Sequence, residues 1–458
     1  DLPFVRITSW TIQAELRQLK DEGRASDALV NDGYALIGED FEDPRIESEA
    51  ELWLLRAHGQ PQTQTHGWVE PDHWEEAYRE SEGVAPRPVS YGESEMRSRL
   101  AGAWLGRAAG CLLGRPFEGL SREDAWPLLK ESGLWPLTRL PSLSDLEPVR
   151  VDRLRRIQPY ALEGLIGQPR IMEDDPSMDY PLLALIILER HGSAFTASDM
   201  ARLWLEQVPL LRWSEAERIA CRNILNGFDP PDSARHFNPC REWSGAMKRA
   251  DLYGWANPGD PAAAACLAAK DASISHVKNG LYASMWAAAM NAAAFTAGSI
   301  TEIIEAGCSV LPKKSRLFEA LSSVRTQHES GLSHEEFLEG LHGDWNDKLD
   351  HESCHAISNS MAVLAALLWG KGDYRLSVGL AAQSLFRSGS NAATVGGILG
   401  AWRGEDALPN DFIMPLGGRP KTGLCCQGLL EYSELVERSL RLIQGTGRER
   451  SSEAAGGF

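Results

Sequence analysis

The 458-residue chain lacks the features that mark membrane and nucleic-acid-binding proteins. No apolar run approaches the roughly 18 residues that a membrane helix needs, and the first residues lack the basic-then-apolar pattern of a signal peptide. Acidic residues outnumber basic ones by 64 to 46, and the net charge of −18 argues against a basic face for nucleic acid. We therefore expect a cytoplasmic protein that binds neither membranes nor nucleic acid.

Cysteine and β-strand patterns are also sparse. The eight cysteines are scattered, without a C-x-x-C pair, and Cys425 and Cys426 are adjacent. This spacing suits neither a disulfide framework nor a zinc ribbon. Clusters of β-branched residues are rare, whereas helical periodicity runs through most of the chain. The sequence predicts an all-α protein.

Two loop-like stretches, 60–67 and 85–92, divide the chain and contain prolines. We predict an acidic, mostly helical N-terminal extension (1–92), a large all-α domain (93–446) and a flexible tail (447–458). The predicted helices are about 7–24 and 46–58 in the extension, and 98–113, 178–190, 197–207, 215–225, 261–269, 280–296, 361–368 and 391–402 in the large domain.

Two of the predicted helices are rich in glycine. One carries glycine at every fourth position from Gly102 to Gly110, and the other has three glycines between Gly396 and Gly400. A glycine inside a helix costs roughly 1 kcal/mol relative to alanine. We therefore expect these helices to use their glycines for close contact with other helices.

Three adjacent carboxylates, Glu173, Asp174 and Asp175, precede the apolar helix that begins near Met178. Like charges at this distance repel one another, so something must compensate them. In one interpretation Asp175 simply caps the helix, whose N-terminus stabilises negative charge. In the other, Asp174 and Asp175 project into a cleft and bind a cation or a polar substrate. The residues alone leave both open.

Two further segments carry polar groups near helix ends. The segment Arg387-Ser388-Gly389-Ser390-Asn391 leads into the second glycine-rich helix, and its free backbone N–H groups suit an anion such as phosphate. Glu118 follows the end of the first glycine-rich helix, which Gly114 terminates.

Together these segments resemble the ADP-ribosylglycohydrolase family, an all-α fold that cleaves ADP-ribosyl and related glycosidic bonds. Residues 99–118 are similar to the family's first helix and the glutamate after it, and 173–178 lie where the family has Thr-Asp-Asp-Thr-x-Met. Residues 385–400 resemble the family's last motif, Asp-Thr-Asp-Thr-Asn-Ala-Ala-Thr-Val-Gly. The resemblance covers about residues 97–403.

The resemblance implies a compact multi-helix bundle with Glu118, Asp174 and Asp175 as catalytic residues. It also implies a substrate site, for which our candidate residues are Glu173, Arg387, Ser388, Gly389, Ser390 and Asn391. Other familiar stretches add Arg241, His276, His355 and Asn359 as candidates for substrate contact. For each of these four, a structural hydrogen-bonding role stays an alternative.

Departures from the family pattern affect its metal site. The family binds two divalent ions through the Asp-Asp pair, the threonine before it and two aspartates of the last motif. Here Glu173 replaces the threonine, and Arg387 and Gly389 stand at the two aspartates. Because divalent ions need several oxygen ligands, we predict no metal cofactor, while a partly retained site would take Mg²⁺ or Mn²⁺. We also expect Arg387 to pair with Asp174 or Asp175 in place of the ions.

We therefore predict a glycosidase that cleaves a ribosyl or ADP-ribosyl-like bond without the two-metal centre. Two carboxylates alone can provide the acid and the base for such a reaction. The expected partner is a nucleoside- or NAD-derived small molecule, and a homodimer stays open. The main alternative is a non-catalytic member of the family that binds a ligand or has a structural role.

A third interpretation is a zinc protease, because residues 351–355 read His-Glu-Ser-Cys-His. In the H-E-x-x-H motif the two histidines bind zinc and the glutamate, here Glu352, is the base. No histidine follows His355, and no glutamate follows it before Glu405, so the downstream sequence offers no third ligand of either kind nearby. We expect that His351 and His355 do not form a zinc site.

Overall fold

A computed structural model of the chain describes residues 6–63, 66–157, 172–425 and 430–455. Across these ranges the chain forms helices joined by loops and no β-strand, which confirms the predicted all-α fold. None of the helices described there has the length and apolarity needed to cross a membrane. The seven cysteines within the described residues are free thiols.

The N-terminal segment contains four helices: α1 (Ser9–Asp21), α2 (Asp27–Ile37), α3 (Pro44–Gly59) and α4 (Trp74–Arg79). The first three surround a small apolar cluster of their own, in which Trp53 is fully buried against Ile12 and Leu19. Asp43 caps α3 by accepting a hydrogen bond from the Arg45 amide, and Pro44 occupies the first helical position, where proline is best tolerated. This small core gives the three helices a common packing centre.

The remaining helices make up the large part of the chain. They are α5 (Glu93–Gly114), α6 (Arg122–Glu131), α7 (Pro148–Ile157), α8 (Pro176–His191), α9 (Ala197–Gln207), α10 (Glu215–Leu225), α11 (Asp232–Arg235), α12 (Asp251–Trp255), α13 (Pro261–Ala272), α14 (Lys278–Ala293), α15 (Ile300–Cys308), α16 (Arg316–Glu329), α17 (His334–Asp344), α18 (Asp350–Cys354), α19 (Ala356–Gly370), α20 (Tyr374–Gln383), α21 (Ser388–Arg403), α22 (Asn410–Ile413) and α23 (Tyr432–Ala455). Helix α23 continues into the range 447–458 that the sequence predicts to be a flexible tail.

The two glycine-rich helices, α5 and α21, pack antiparallel against each other through their glycines. A Cβ atom on Gly106 would lie 2.4 Å from the carbonyl oxygen of Gly396, and one on Gly102 would lie 2.3 Å from that of Gly400. Neither distance leaves room for a methyl group, so the two backbones touch directly. The expected close helix contact is confirmed, and the two helices are each other's partners.

Helix α14 lies in the core and is buried along its whole length. Its small residues, mainly alanine, allow α13 and α12 to pack closely around it; for example, a Cβ on Gly254 would lie 2.6 Å from the carbonyl oxygen of Ala288. This dense packing gives the large part of the chain a buried centre of small side chains.

Candidate functional site

The three polar motifs meet where α5 ends and where α8 and α21 begin. The Ser388 hydroxyl at the start of α21 donates to the carbonyl oxygen of Gly114 at the end of α5 (3.0 Å). The Ser177 hydroxyl at the start of α8 lies 3.3 Å from that of Ser390. The antiparallel contact of α5 with α21 brings these ends together, because it pairs the last turn of one helix with the first turn of the other.

Glu118 is held at the start of α21. Its Oε2 atom accepts hydrogen bonds from the Gly389 amide (2.8 Å) and the Ser388 hydroxyl (3.3 Å). Its Oε1 atom lies 3.6 Å from Nη1 of Arg387. The donors that the sequence offers to a phosphate, Ser388 and Gly389, are therefore occupied by a carboxylate of the same chain.

Each of the three carboxylates before α8 contacts a different partner. Asp175 caps α8 by accepting from the Ser177 amide (2.8 Å), so the capping interpretation describes its contact. Asp174 pairs with Arg212 (2.6 Å), and Glu173 with Lys421 (2.8 Å). Asp174 and Asp175 stay partly exposed, so a ligand can still reach them.

Arg387 does not pair with Asp174 or Asp175, so this expectation is wrong. Its Nη2 atom lies 2.6 Å from Oε1 of Glu215, the first residue of α10, and its other close carboxylate is Glu118. The loop before α10 also provides Arg212, which takes the position of partner to Asp174. Glu215 and Arg212 are not among the residues expected from the sequence, because the segment around α10 carries no motif.

The pair formed by Arg387 and Glu215 is ionised at neutral pH. Burial disfavours the Glu215 carboxylate, but the charges of Arg387 and Lys248 outweigh this effect and lower its pKa to about 2. Burial likewise opposes the charge of Arg387, yet Cys354, Glu215 and Glu118 raise its pKa well above the ordinary value. The site therefore has a permanent positive charge between two carboxylates.

The family assignment follows from comparison with known proteins. Residues 92–448 match the family model described as ADP-ribosylglycohydrolase. The chain belongs to the ADP-ribosylglycohydrolase family. A solved structure titled "ADP-ribosylglycohydrolase-related protein complex" matches with a TM-score of 0.50 at 19% identity, covering 77% of this chain and 99% of that one, and it supports the fold alone. No curated protein matches the sequence.

The residues at the family's metal position do not fit a pair of divalent ions. The guanidinium of Arg387 lies beside Glu118 and would repel a cation there. Within the described residues, Glu118, Asp174 and Asp175 do not belong to any group of three potential ligands whose atoms lie within 4.8 Å of one another. Each also has a partner from the protein itself, as described above. Arg387 thus lies beside Glu118, and Arg212 lies beside Asp174, which corresponds to a metal ligand of the family.

Four further candidates for substrate contact lie behind the site. His276 lines a cavity of about 10 Å³ beside Arg387, which has room for one water molecule. Its Nε2 atom is buried and has no hydrogen-bond partner among the residues that the structure describes. Burial lowers the pKa of His276 well below its ordinary value, so the ring is neutral. Among the four candidates, His276 is therefore the one whose position beside Arg387 still allows contact with the site.

For Arg241 and Asn359 the buried contacts favour the structural alternative over substrate contact. Arg241 is 4% exposed and its guanidinium is taken up by Glu15 and Glu22. Asn359 is fully buried and uses all of its amide hydrogen-bonding groups inside the protein. Asn391 is also fully buried, and its side-chain N–H donates to the Asn359 oxygen (2.9 Å), while its own Oδ1 atom is buried without a hydrogen-bond partner among the described residues.

One group within the described residues does bring three potential metal ligands together: Asp21, His351 and His355. The third potential ligand is an acid from α1, which lies upstream of the H-E-x-x-H sequence and not downstream as in the motif considered above. Oδ2 of Asp21 lies 2.7 Å from Nε2 of His351 and 3.8 Å from Nε2 of His355. The two histidines belong to different elements, since His351 lies in α18 and His355 caps α19.

The hydrogen bonds of these histidines do not fit a metal ion. The Trp243 indole N–H donates to Nδ1 of His351 (3.2 Å), and the Ile357 amide donates to Nδ1 of His355 (3.1 Å). A neutral imidazole whose Nδ1 accepts a hydrogen bond carries its proton on Nε2. A metal on Nε2 would instead require the proton on Nδ1, facing another N–H group. The contact of His355 with Ile357 thus favours its structural alternative over substrate contact.

Proposed function

We propose that this chain hydrolyses a ribosyl or ADP-ribosyl-type glycosidic bond of a small molecule at the junction of α5, α8 and α21. The observation that supports the proposal is that two carboxylates reach the start of α21, Glu118 directly and Asp175 through Ser177. Glu118 contacts Gly389, and Asp175 contacts Ser177, whose hydroxyl reaches Ser390. Glycoside hydrolysis needs two carboxylates that flank the bond.

In this proposal the two carboxylates share the work of acid and base. One protonates the leaving group, and the other activates water or stabilises the positive charge that develops on the sugar. Arg387 and Arg212 contribute positive charge, which suits a phosphate or diphosphate on the same substrate. A leaving group such as nicotinamide needs little protonation, and this favours nucleoside- and NAD-derived compounds as substrates.

A second function, ligand binding without catalysis, is supported by a different observation. Every carboxylate of the site has a partner inside the protein, and the cavity beside Arg387 holds about 10 Å³. A binding or structural protein gains stability from such pairs, whereas an enzyme must open at least one of them. The two functions predict different outcomes of the same experiment.

The experiment incubates the full chain with NAD⁺, nicotinamide riboside and ADP-ribosylated arginine, with EDTA or with Mg²⁺, and follows product release by chromatography. We expect turnover that EDTA leaves unchanged, and a loss of about 100-fold or more in E118Q and D175N. Asparagine caps helices as well as aspartate does, so D175N removes the charge and keeps the cap. E206Q is the matched control, because Glu206 pairs with Arg190 at the surface and lies outside the candidate site.

The outcomes separate the two functions. Turnover that survives in both E118Q and D175N would contradict the proposed site. Absence of turnover in the wild-type chain, together with binding of ADP-ribose by calorimetry, would support the non-catalytic function instead. Turnover that requires Mg²⁺ would show that an ion binds despite Arg387.

A further inference from the structure

Buried hydrogen bonds and ion pairs connect helix α1 of the N-terminal segment to the large part of the chain. Arg241 forms bidentate contacts with Glu15 (2.7 and 3.0 Å) and with Glu22 (3.0 and 3.0 Å). The Gln18 amide donates to Glu242 (2.7 Å). These side chains are at most 5% exposed, so α1 is an integral part of the structure rather than a loose extension.

Asp21, at the C-terminal end of the same helix, faces the two histidines described above. Its carboxylate accepts from Nε2 of His351. Nε2 of His355 is buried, has no hydrogen-bond partner within the described part of the chain, and points toward the same oxygen at 3.8 Å. The two Nδ1 contacts fix both rings as Nε2–H tautomers. Asp21 is thus the acceptor toward which both rings are oriented.

A short chain of contacts leads from these histidines to the candidate site. The side-chain N–H groups of Asn359 donate to the carbonyl oxygens of Ser353 (2.9 Å) and His355 (2.8 Å). The Asn359 oxygen accepts from the Arg387 amide (3.1 Å) and from Asn391 (2.9 Å). One buried amide group therefore connects the histidine segment to the first turn of α21.

Helix α1 has a second contact near the site, through Trp10. Trp10 packs edge-on against Trp243, with ring centroids 6.1 Å apart. Trp243 in turn donates to His351 and lines the small cavity beside Arg387. The contacts that start at Asp21 and those that start at Trp10 therefore both lead to Arg387.

We propose that Asp21 is a positioning residue for the candidate site: it orients His351 and His355, and through Asn359 this fixes the first turn of α21, which carries Arg387 and holds Glu118. The role assigns to the N-terminal segment a part in the geometry of the site that the family resemblance, which begins near residue 97, does not include. It concerns the site of the proposed function, but its test needs no substrate.

The test is hydrogen exchange of the full chain, measured by mass spectrometry. The amides of Arg387 and Gly389 report on the site, because they donate to Asn359 and Glu118, respectively. The variant is D21N, and the control is Q13A, since Gln13 is exposed on the same helix and lines the same surface cavity as Asp21. We expect D21N to speed exchange in the peptide that contains 386–391 by about tenfold, and Q13A to leave it unchanged.

Two results would overturn the proposal. In one, D21N speeds exchange in α1 while the 386–391 peptide stays at the wild-type rate; in the other, Q13A speeds exchange in that peptide as much as D21N does. If D21N does not fold, D21E is measured in the same way, because it keeps the charge and displaces the carboxylate. A chain without glycosidase activity would contradict the proposed function and leave this measurement valid.

Discussion

Replacing Arg387 by methionine removes the charge that faces Glu215 and keeps a long unbranched side chain. In the wild-type chain, burial disfavours the Glu215 carboxylate, yet Arg387 and Lys248 lower its pKa from 4.5 to about 2. A difference of this size corresponds to about 3 kcal/mol in favour of the folded state at neutral pH. Arg387 lies 2.6 Å from Glu215, so we expect R387M to lower the free energy of unfolding by about 2 kcal/mol at pH 7.

The effect has a defined pH dependence. Because the pKa of Glu215 is lowered in the folded chain, its contribution is complete above about pH 4.5 and is lost as the pH falls toward 2. R387M lacks most of the stabilisation from ionised Glu215 at every pH. The difference between the wild-type chain and R387M should therefore be largest at neutral pH and should shrink as the pH falls below about 4.5.

The assay is guanidinium unfolding followed by circular dichroism at pH 7, 5 and 4. The matched control is K421M, because the pair of Lys421 with Glu173 is about half exposed and such pairs contribute less than about 1 kcal/mol. The reasoning would be refuted if R387M lost no more stability than K421M at pH 7. It would also be refuted if the loss were the same size at pH 7 and pH 4.

Three other predictions concern packing, metal binding and acid sensitivity. G106A should lower the melting temperature by several degrees in calorimetry, because its Cβ would lie 2.4 Å from the Gly396 carbonyl oxygen and force α5 and α21 apart; a wild-type melting temperature would contradict this packing. Elemental analysis after incubation with Zn²⁺ should find less than one ion per chain, and stoichiometric zinc that disappears in H351A would contradict the assigned tautomers. Burial lowers the pKa of His355 from 6.5 to about 4, so stability should fall by up to about 3 kcal/mol as the pH drops across that interval. In urea unfolding, the free energy of unfolding should fall less between pH 7 and pH 5 in H355N than in the wild-type chain. An equal fall in both would refute the assignment.

The sequence predicts close helix contacts for α5 and α21, because glycines four residues apart lie on one helical face. That the two helices contact each other is seen only in the structure. The sequence also does not predict the partner of Arg387. Motif positions indicate which helix ends approach one another, but the direction of a long side chain depends on charges that arrive from elsewhere. Those charges are Glu215 and Arg212, and they come from a segment that has only ordinary helical periodicity.

The H-E-x-x-H sequence shows a related limit of sequence patterns. Its spacing brings two imidazole rings near each other, and an acid from α1 completes a set of three potential ligands. What decides against a metal is the proton on each Nε2 atom, which follows from the donors that contact Nδ1. Those donors, Trp243 and the Ile357 amide, have no fixed place in the motif, so the spacing alone could not show that the nitrogen atoms are already used.

In the proposed function, arginines take the place of metal ions, and this would restrict the chemistry of the reaction. A guanidinium provides positive charge and directional hydrogen bonds, and a chelator cannot remove it. It does not lower the pKa of a bound water or polarise a bond as a Lewis acid does. The carboxylates Glu118 and Asp175 would then carry out the proton transfers without that help, which is effective when the leaving group departs readily. The substitution at Arg387 therefore favours activated glycosidic bonds, such as that of a nicotinamide riboside, over the bond from ribose to a protein side chain.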